Sequence, residues 1–214
     1  MAENEETADF KFSVRLNWET EKDDRDPFAL IYGEEAKKNE KVVTKYEFEG
    51  KSVLLSVFNK EKEERFKTQN TGQYRGFNGF VTVVFPDERN SIDQASYQNT
   101  EIVRYTHDQI FIITVVFKSK DITSIMTEQD KTNFENPVCD NYHFAEVEVD
   151  DSEKLKEMVK GIAQALMALS LQEKEEEEKK KEEEEEKKKG KKGKKDKKKD
   201  KKSKKGDKEK CCIV

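Results

Sequence analysis

The last four residues of this 214-residue chain, Cys211-Cys212-Ile213-Val214, are the ones whose types and spacing most directly suggest a reaction. A cysteine four places from the end, with aliphatic residues closing the sequence, is the pattern in which a thiol is alkylated by a prenyl group. Directly upstream, Gly190 to Lys210 holds 13 Lys against 4 acids, a net charge of +9. One lipid chain holds a protein to a bilayer only marginally, and a second signal makes the anchor stable. Each lysine near an anionic leaflet adds roughly 1 kcal/mol. Cys211 is the expected lipidation site, and Cys212 is either an internal residue of the box or a second lipid site. The terminal valine leaves farnesyl and geranylgeranyl both open. The expectation is a covalent prenyl lipid, an anionic membrane surface as partner, and a peripheral place on the cytoplasmic face of a membrane with a cytosolic pool. The bland alternative is a polar tail that ends in two cysteines by chance.

Other reactive residues point to little chemistry. His107 and His143 are far apart and lack ligand-like neighbours, so no metal site is expected. Cys139 stands beside Asp140 without a basic neighbour to activate its thiol. Three cysteines in all make no disulfide framework and fit a reducing compartment. No residue set reads as catalytic.

Charge divides the chain. Residues 1–172 carry a net −11 and residues 173–214 a net +6. An acidic body on a basic leash is kept from lying flat on an anionic membrane. No basic patch with interleaved aromatics appears in the body, which argues against nucleic acid as a partner. Met1 to Asp9 is acidic and polar, read as a disordered lead-in and not as a signal peptide, and no apolar run approaches the length of a membrane span.

The elements that position these residues follow from periodicity. Phe10 to Leu16 alternates apolar and polar residues as a strand does. Residues 17–40 are charged and poorly periodic. Val42–Phe48 and Lys51–Phe58 flank the turn Glu49-Gly50 and predict a hairpin. Phe80–Phe85 and Ile110–Phe117 are continuous apolar runs, the mark of strands buried on both faces. Ser91 to Tyr105 predicts a helix capped by Ser91, and Tyr142–Val149 a last strand. From Asp151 or Ser152 onward, Leu155, Met158, Val159, Ile162, Leu166 and Leu169 form a helical stripe. Strands alternating with helices predict an α/β fold, a mixed and mostly parallel sheet with helices on both faces.

After Leu171 the composition changes. Glu175 and Lys179, Glu176 and Lys180, and Glu184 and Lys188 are spaced for ion pairs of about 0.3 kcal/mol each on a solvated helix. That reading gives a domain over 10–171, a charged helical extension over 172–189 ended by Gly190 and Gly193, and a disordered, polybasic, lipidated tail over 190–214.

The order of elements, the turn Phe48-Glu49-Gly50-Lys51, the segments Glu64-Arg65-Phe66 and Tyr74-Arg75-Gly76-Phe77-Asn78-Gly79, and the terminal Cys-Cys together resemble a Rab-type small GTPase of the Ras superfamily. The resemblance implies a six-stranded Ras-like G-domain over roughly 10–170. Its nucleotide motifs depart from the family pattern. The glycine-rich phosphate loop falls on Leu16-Asn17-Trp18-Glu19-Thr20-Glu21-Lys22-Asp23. Lys22 stands where the family lysine does, and Asp23 replaces the magnesium-binding serine. Glu19 and Glu21 take glycine positions, where carboxylates would face phosphates. The γ-phosphate sensor becomes Asn59-Lys60-Glu61-Lys62, the water-positioning glutamine Glu63, and the switch threonine falls near Ala36. In the guanine-reading segment Phe117-Lys118-Ser119-Lys120-Asp121 only Asp121 matches. The last motif is Glu148-Val149-Asp150.

Lys22, Asp23 and Asp121 are therefore vestigial nucleotide-binding candidates, and no cofactor is expected. The implied function is a membrane-tethered, Rab-like pseudo-GTPase scaffold in vesicle trafficking or signalling. Its partners would be protein effectors and the prenylation machinery, met through Val42–Phe58, Phe66 and Tyr74. The apolar residues Val53, Leu55 and Val57 read more naturally as core. The alternative is a divergent but active GTPase, binding GTP or GDP with magnesium. Trp18 filling the former nucleotide pocket is a further expectation.

Overall fold

The computed structural model describes residues 7–22, 25–59, 74–106 and 109–203, with side chains described through 181. The chain divides into two compact units, Met1–Met167 and Ala168–Val214. The first holds the sheet, and the second is helical through Ser203.

The elements of the first unit are β1 (Phe10–Trp18), α1 (Pro27–Tyr32), a 3-10 turn (Glu34–Lys38), β2 (Lys41–Phe48), β3 (Lys51–Phe58), β4 (Gly79–Val84), α2 (Arg89–Tyr105), β5 (Phe111–Lys118), α3 (Glu128–Glu135), β6 (Tyr142–Glu148) and the start of α4 (Ser152–Ser203). They form one six-stranded sheet in the order β2-β3-β1-β4-β5-β6. Every neighbour pair is parallel except β2 with β3. That hairpin turns through Glu49 at φ 51° and Gly50 at φ 76°. Two successive left-handed residues match the twist of the strands they join.

Register assigns the two faces of the sheet. Val14 pairs with Val57 and Gly79, Leu16 with Val81, and Ile113 with Val81 and His143, so these side chains share one face. Met158, Ile162 and Ala165 of α4 lie against Phe111, Ile113, Ala145 and Val147 on that face, around an open groove of about 500 Å³. Phe80, Thr82, Val84, Ile112, Thr114 and Val116 point to the other face. There α2 contributes Ile92, Ala95 and Ile102, and α3 contributes Phe134. Both faces are covered, which is why β4 and the apolar part of β5 are buried along their length. Each large side chain fully buried this way contributes about 2 kcal/mol.

A polar chain crosses the second face. Thr82 Oγ1 donates to Asn99 Oδ1 at 2.8 Å, and Asn99 Nδ2 donates to Thr114 Oγ1 at 2.8 Å. The Tyr142 hydroxyl lies 2.9 Å from Thr114 Oγ1 and donates to the Phe134 carbonyl at 2.7 Å. Every buried group in it has a partner, as a dry interior requires.

Several boundaries differ from the sequence reading. Strand β1 runs past Leu16 to Trp18, because Leu16 and Trp18 continue the inward alternation and pair with Val81 and Val83. Helix α2 starts at Arg89 with Glu88 as its N-cap residue. Ser91 lies within the helix, buried, and its Oγ accepts from the Phe85 N–H at 3.0 Å. The segment 17–40 contains α1, whose cap Asp26 accepts from the N–H groups of Phe28 and Ala29 ahead of Pro27 at the first position. Helix α3 opens with a capping box between Thr127 and Asp130. Helix α4 continues through Gly190 and Gly193 to Ser203. A glycine costs a helix about 1 kcal/mol relative to alanine but removes no hydrogen bond.

Candidate functional site: the loop after strand β1

Strands β1 and β4 are parallel neighbours, with Trp18 opposite Val83. Their C-terminal ends therefore lie side by side, and the loops that leave them meet. In an open α/β sheet this is the edge at which ligands bind. One loop supplies Thr20, Glu21, Lys22 and Arg25, and the other supplies Phe85, Pro86, Asp87 and Glu88.

The two loops close on each other. Glu88 is 5 % exposed. Its carboxylate accepts from the Glu21 N–H at 2.7 Å, the Thr20 hydroxyl at 3.0 Å and Arg25 Nη1 at 2.8 Å. Asp87 takes the guanidinium of Arg25 in a two-pronged contact, Nη1 to Oδ1 at 2.6 Å and Nη2 to Oδ2 at 2.8 Å. Lys22 Nζ adds a third bond to Asp87 Oδ2 at 2.7 Å. The Arg25 guanidinium also sits over the Phe85 ring, 5.2 Å from its centre. Such charge-assisted, forked bonds are among the strongest side-chain contacts a protein makes. The Arg25 hydrogen bond, with help from Lys22, holds the Asp87 carboxyl at a pKa of about 2. Asp87 in turn raises the pKa of Arg25.

A second pair of loops meets at the C-terminal ends of β5 and β6, on the same edge of the sheet. Ser119 Oγ donates to both carboxylate oxygens of Asp150 at 3.0 and 3.1 Å, and the Lys120 N–H donates to Asp150 Oδ2 at 3.2 Å. Asp121 is exposed beside them, its N–H 3.4 Å from Ser119 Oγ.

The sheet order that sets these loops together, with its single antiparallel hairpin and helices on both faces, decides the architecture. The first unit has a Ras-like G-domain fold. Over 131 residues the chain is 28% identical to the GTP-binding protein ypt1 of Schizosaccharomyces pombe, which is 61% of this chain and 60% of that protein. It is 28% identical over 130 residues to the Ras-related protein RABD2a of Arabidopsis thaliana, 60% of each. The chain thus spans about 60% of the length of the curated relatives it matches. No protein-family model matches it.

Within this G-domain the candidate residues fall in different places. Lys22 belongs to the loop cluster, with its amine on Asp87. Asp121 belongs to the second loop pair. Asp23, Cys211 and Cys212 lie outside the described residues, as do Lys60 to Phe66 and His107. Ala36 is buried in the 3-10 turn. Trp18 is half-buried at the end of β1. Val53, Leu55 and Val57 are core. Tyr74 is half-buried, stacked 5.8 Å from Tyr105. Gly76 turns at φ 83° just before β4, and Asn78 binds the Ser13 backbone through both its N–H and its side-chain oxygen. Asn78, two residues past the Tyr74-Arg75-Gly76 segment, thus pins β4 beside β1.

Sequence reasoning missed Arg25, Asp87 and Glu88. Arg25 looks like one more charge in a charged segment, and Asp87-Glu88 like a polar start to a helix. The one local signal was an adjacent acid pair directly after a strand buried on both faces. Among the described residues no helix is long and apolar enough to cross a membrane, and no cluster of three or more acidic, histidine or cysteine side chains is placed to hold a metal ion.

Proposed function

We propose that this chain is a Rab-like pseudo-GTPase, a membrane-tethered scaffold in vesicle trafficking or signalling that neither binds nor hydrolyses GTP. The observation that carries the reading is the closed loop after β1. A phosphate needs free backbone N–H groups and cations in a glycine-built nest. Here the N–H of Glu21, the hydroxyl of Thr20 and the cations of Lys22 and Arg25 already bind Asp87 and Glu88. No glycine stands between Phe10 and Tyr32, and β1 runs through the positions where a glycine loop would begin. The residues present do not fit GTP with magnesium. The departures at Asn59 to Glu63, at Lys118-Ser119 and at Glu148-Val149-Asp150 point the same way.

A domain with nothing to sense a γ-phosphate has no differential ligand affinity to move it between states. It presents one surface to effectors at all times. Prenylation at Cys211 or Cys212, with the lysine-rich segment, would hold it to an anionic leaflet.

Calorimetry of the purified full chain with GTP and GDP, with and without magnesium, tests the reading. No binding up to millimolar nucleotide is expected. Micromolar binding would overturn it in favour of a divergent, active GTPase; one relative is named a GTP-binding protein. Replacing both terminal cysteines by serine should release the protein to the cytosol, and persistent membrane association would remove the anchor.

A further inference from the structure

The groups around Asp87 and Glu88 are the kinds a phosphate would take from a protein: a backbone N–H, a hydroxyl, an ammonium and a guanidinium. They come from four residues of the loop after β1, and all reach the two carboxylates between 2.6 and 3.0 Å. The carboxylates come from consecutive residues at the entry to α2. Two cations meet two anions, so the cluster is neutral as a whole.

We infer that Asp87 and Glu88 act as a built-in anionic plug: they occupy from within the chain the place where the donors of the loop after β1 would receive a small anion. The inference rests on the proposed absence of nucleotide binding and adds its cause. Both carboxylates are tethered one strand away from their donors, so a free anion competes with a partner at high effective concentration. Glu88 cannot swing out cheaply, because its loop is fixed where the Phe85 N–H binds Ser91 and the Pro86 carbonyl accepts from Ile125. Neutralising both carboxylates removes the competing charge and leaves Lys22 and Arg25 without their ion-pair partners beside the Thr20 hydroxyl and the Glu21 N–H. Glu19 and Glu21, acids of the same loop, keep the affinity of the unplugged loop low.

The test uses the full chain and inorganic pyrophosphate without metal, against sodium chloride at matched ionic strength. Wild type should show no saturable response in the amide resonance of Glu21. The variant D87N/E88Q should bind pyrophosphate saturably in the millimolar range, and adding R25Q should abolish that binding. A folded D87N/E88Q that responds no differently from the chloride control would overturn the plug while leaving the pseudo-GTPase reading intact. GTP binding by wild type would overturn that reading first. If D87N/E88Q fails to fold, E88A decides, because it removes the acceptor of the Glu21 N–H and the Thr20 hydroxyl outright. A pyrophosphate-specific shift of the Glu21 amide in folded E88A supports the plug, and its absence overturns it.

Discussion

Arg25 Nη1 stands 2.6 Å from Asp87 Oδ1 and 2.8 Å from Glu88 Oε1, so one guanidinium bridges two consecutive carboxylates 62 and 63 residues away in the chain. It is the principal clamp between the loops that leave β1 and β4. Removing it would leave two largely buried acids sharing Lys22 and two neutral donors. An Arg25→Ala substitution should cost about 3 kcal/mol, the usual cost of stranding one side of a buried ion pair. Urea unfolding measures it. Arg25→Lys should recover only part, because an ammonium cannot make the forked contact with Asp87. A loss under about 0.5 kcal/mol, the size of an exposed pair, would show that the clamp is ornamental.

The same contact predicts how stability responds to acid. Arg25 and Lys22 hold Asp87 at a pKa of about 2, and Arg89 with the Thr127 cap holds Asp130 at about 2. Both carboxyls are depressed below their ordinary value of 3.8, so the unfolded chain binds their protons first. Their contribution is present above that value and disappears as pH falls through about 2. Thermal melts should fall steeply between pH 4 and pH 2. In D87N and D130N that part of the slope should be shallower. An unchanged slope in both would mean that neither carboxyl is perturbed in the folded chain.

Asn99 is the middle of the buried polar chain between Thr82 and Thr114. Its amide is the one group there that both accepts and donates through separate atoms. Asn99→Ala should leave Thr82 without its acceptor and Thr114 Oγ1 without the Asn99 donor. A loss of about 2–3 kcal/mol is expected, larger than a solvent-exposed hydrogen bond would give. Differential scanning calorimetry reads it. A loss below 1 kcal/mol would mean that water replaces the amide.

Gly79 opens β4 opposite Phe111 of β5. A Cβ built there would meet Phe111 Cδ1 at 3.1 Å, its carbonyl oxygen at 3.1 Å and its Cβ at 3.2 Å. Two of those atoms are backbone or next to it and cannot rotate away. Gly79→Ala should therefore destabilise by about 1–3 kcal/mol through overpacking, although alanine is otherwise the better strand residue. A neutral or stabilising result by chemical denaturation would show that the two strands separate at that end without cost.

The sequence by itself determined the strands, the hairpin and the helical stripe of α4. These rest on local periodicity and on the turn chemistry of Glu49-Gly50, which are written in neighbouring residues. Two helices escaped because they are short and lack a periodic apolar face. Their caps, Asp26 before Pro27 and Thr127 with Asp130, were the only local marks. Tertiary structure alone decided that β1 continues to Trp18, since the choice between strand and loop there depends on Val81 and Val83 across the sheet. It alone brought Arg25 to Asp87 and Glu88. The parallel pairing of β1 with β4 sets their ends side by side, and no pattern within either loop carries the position of the other.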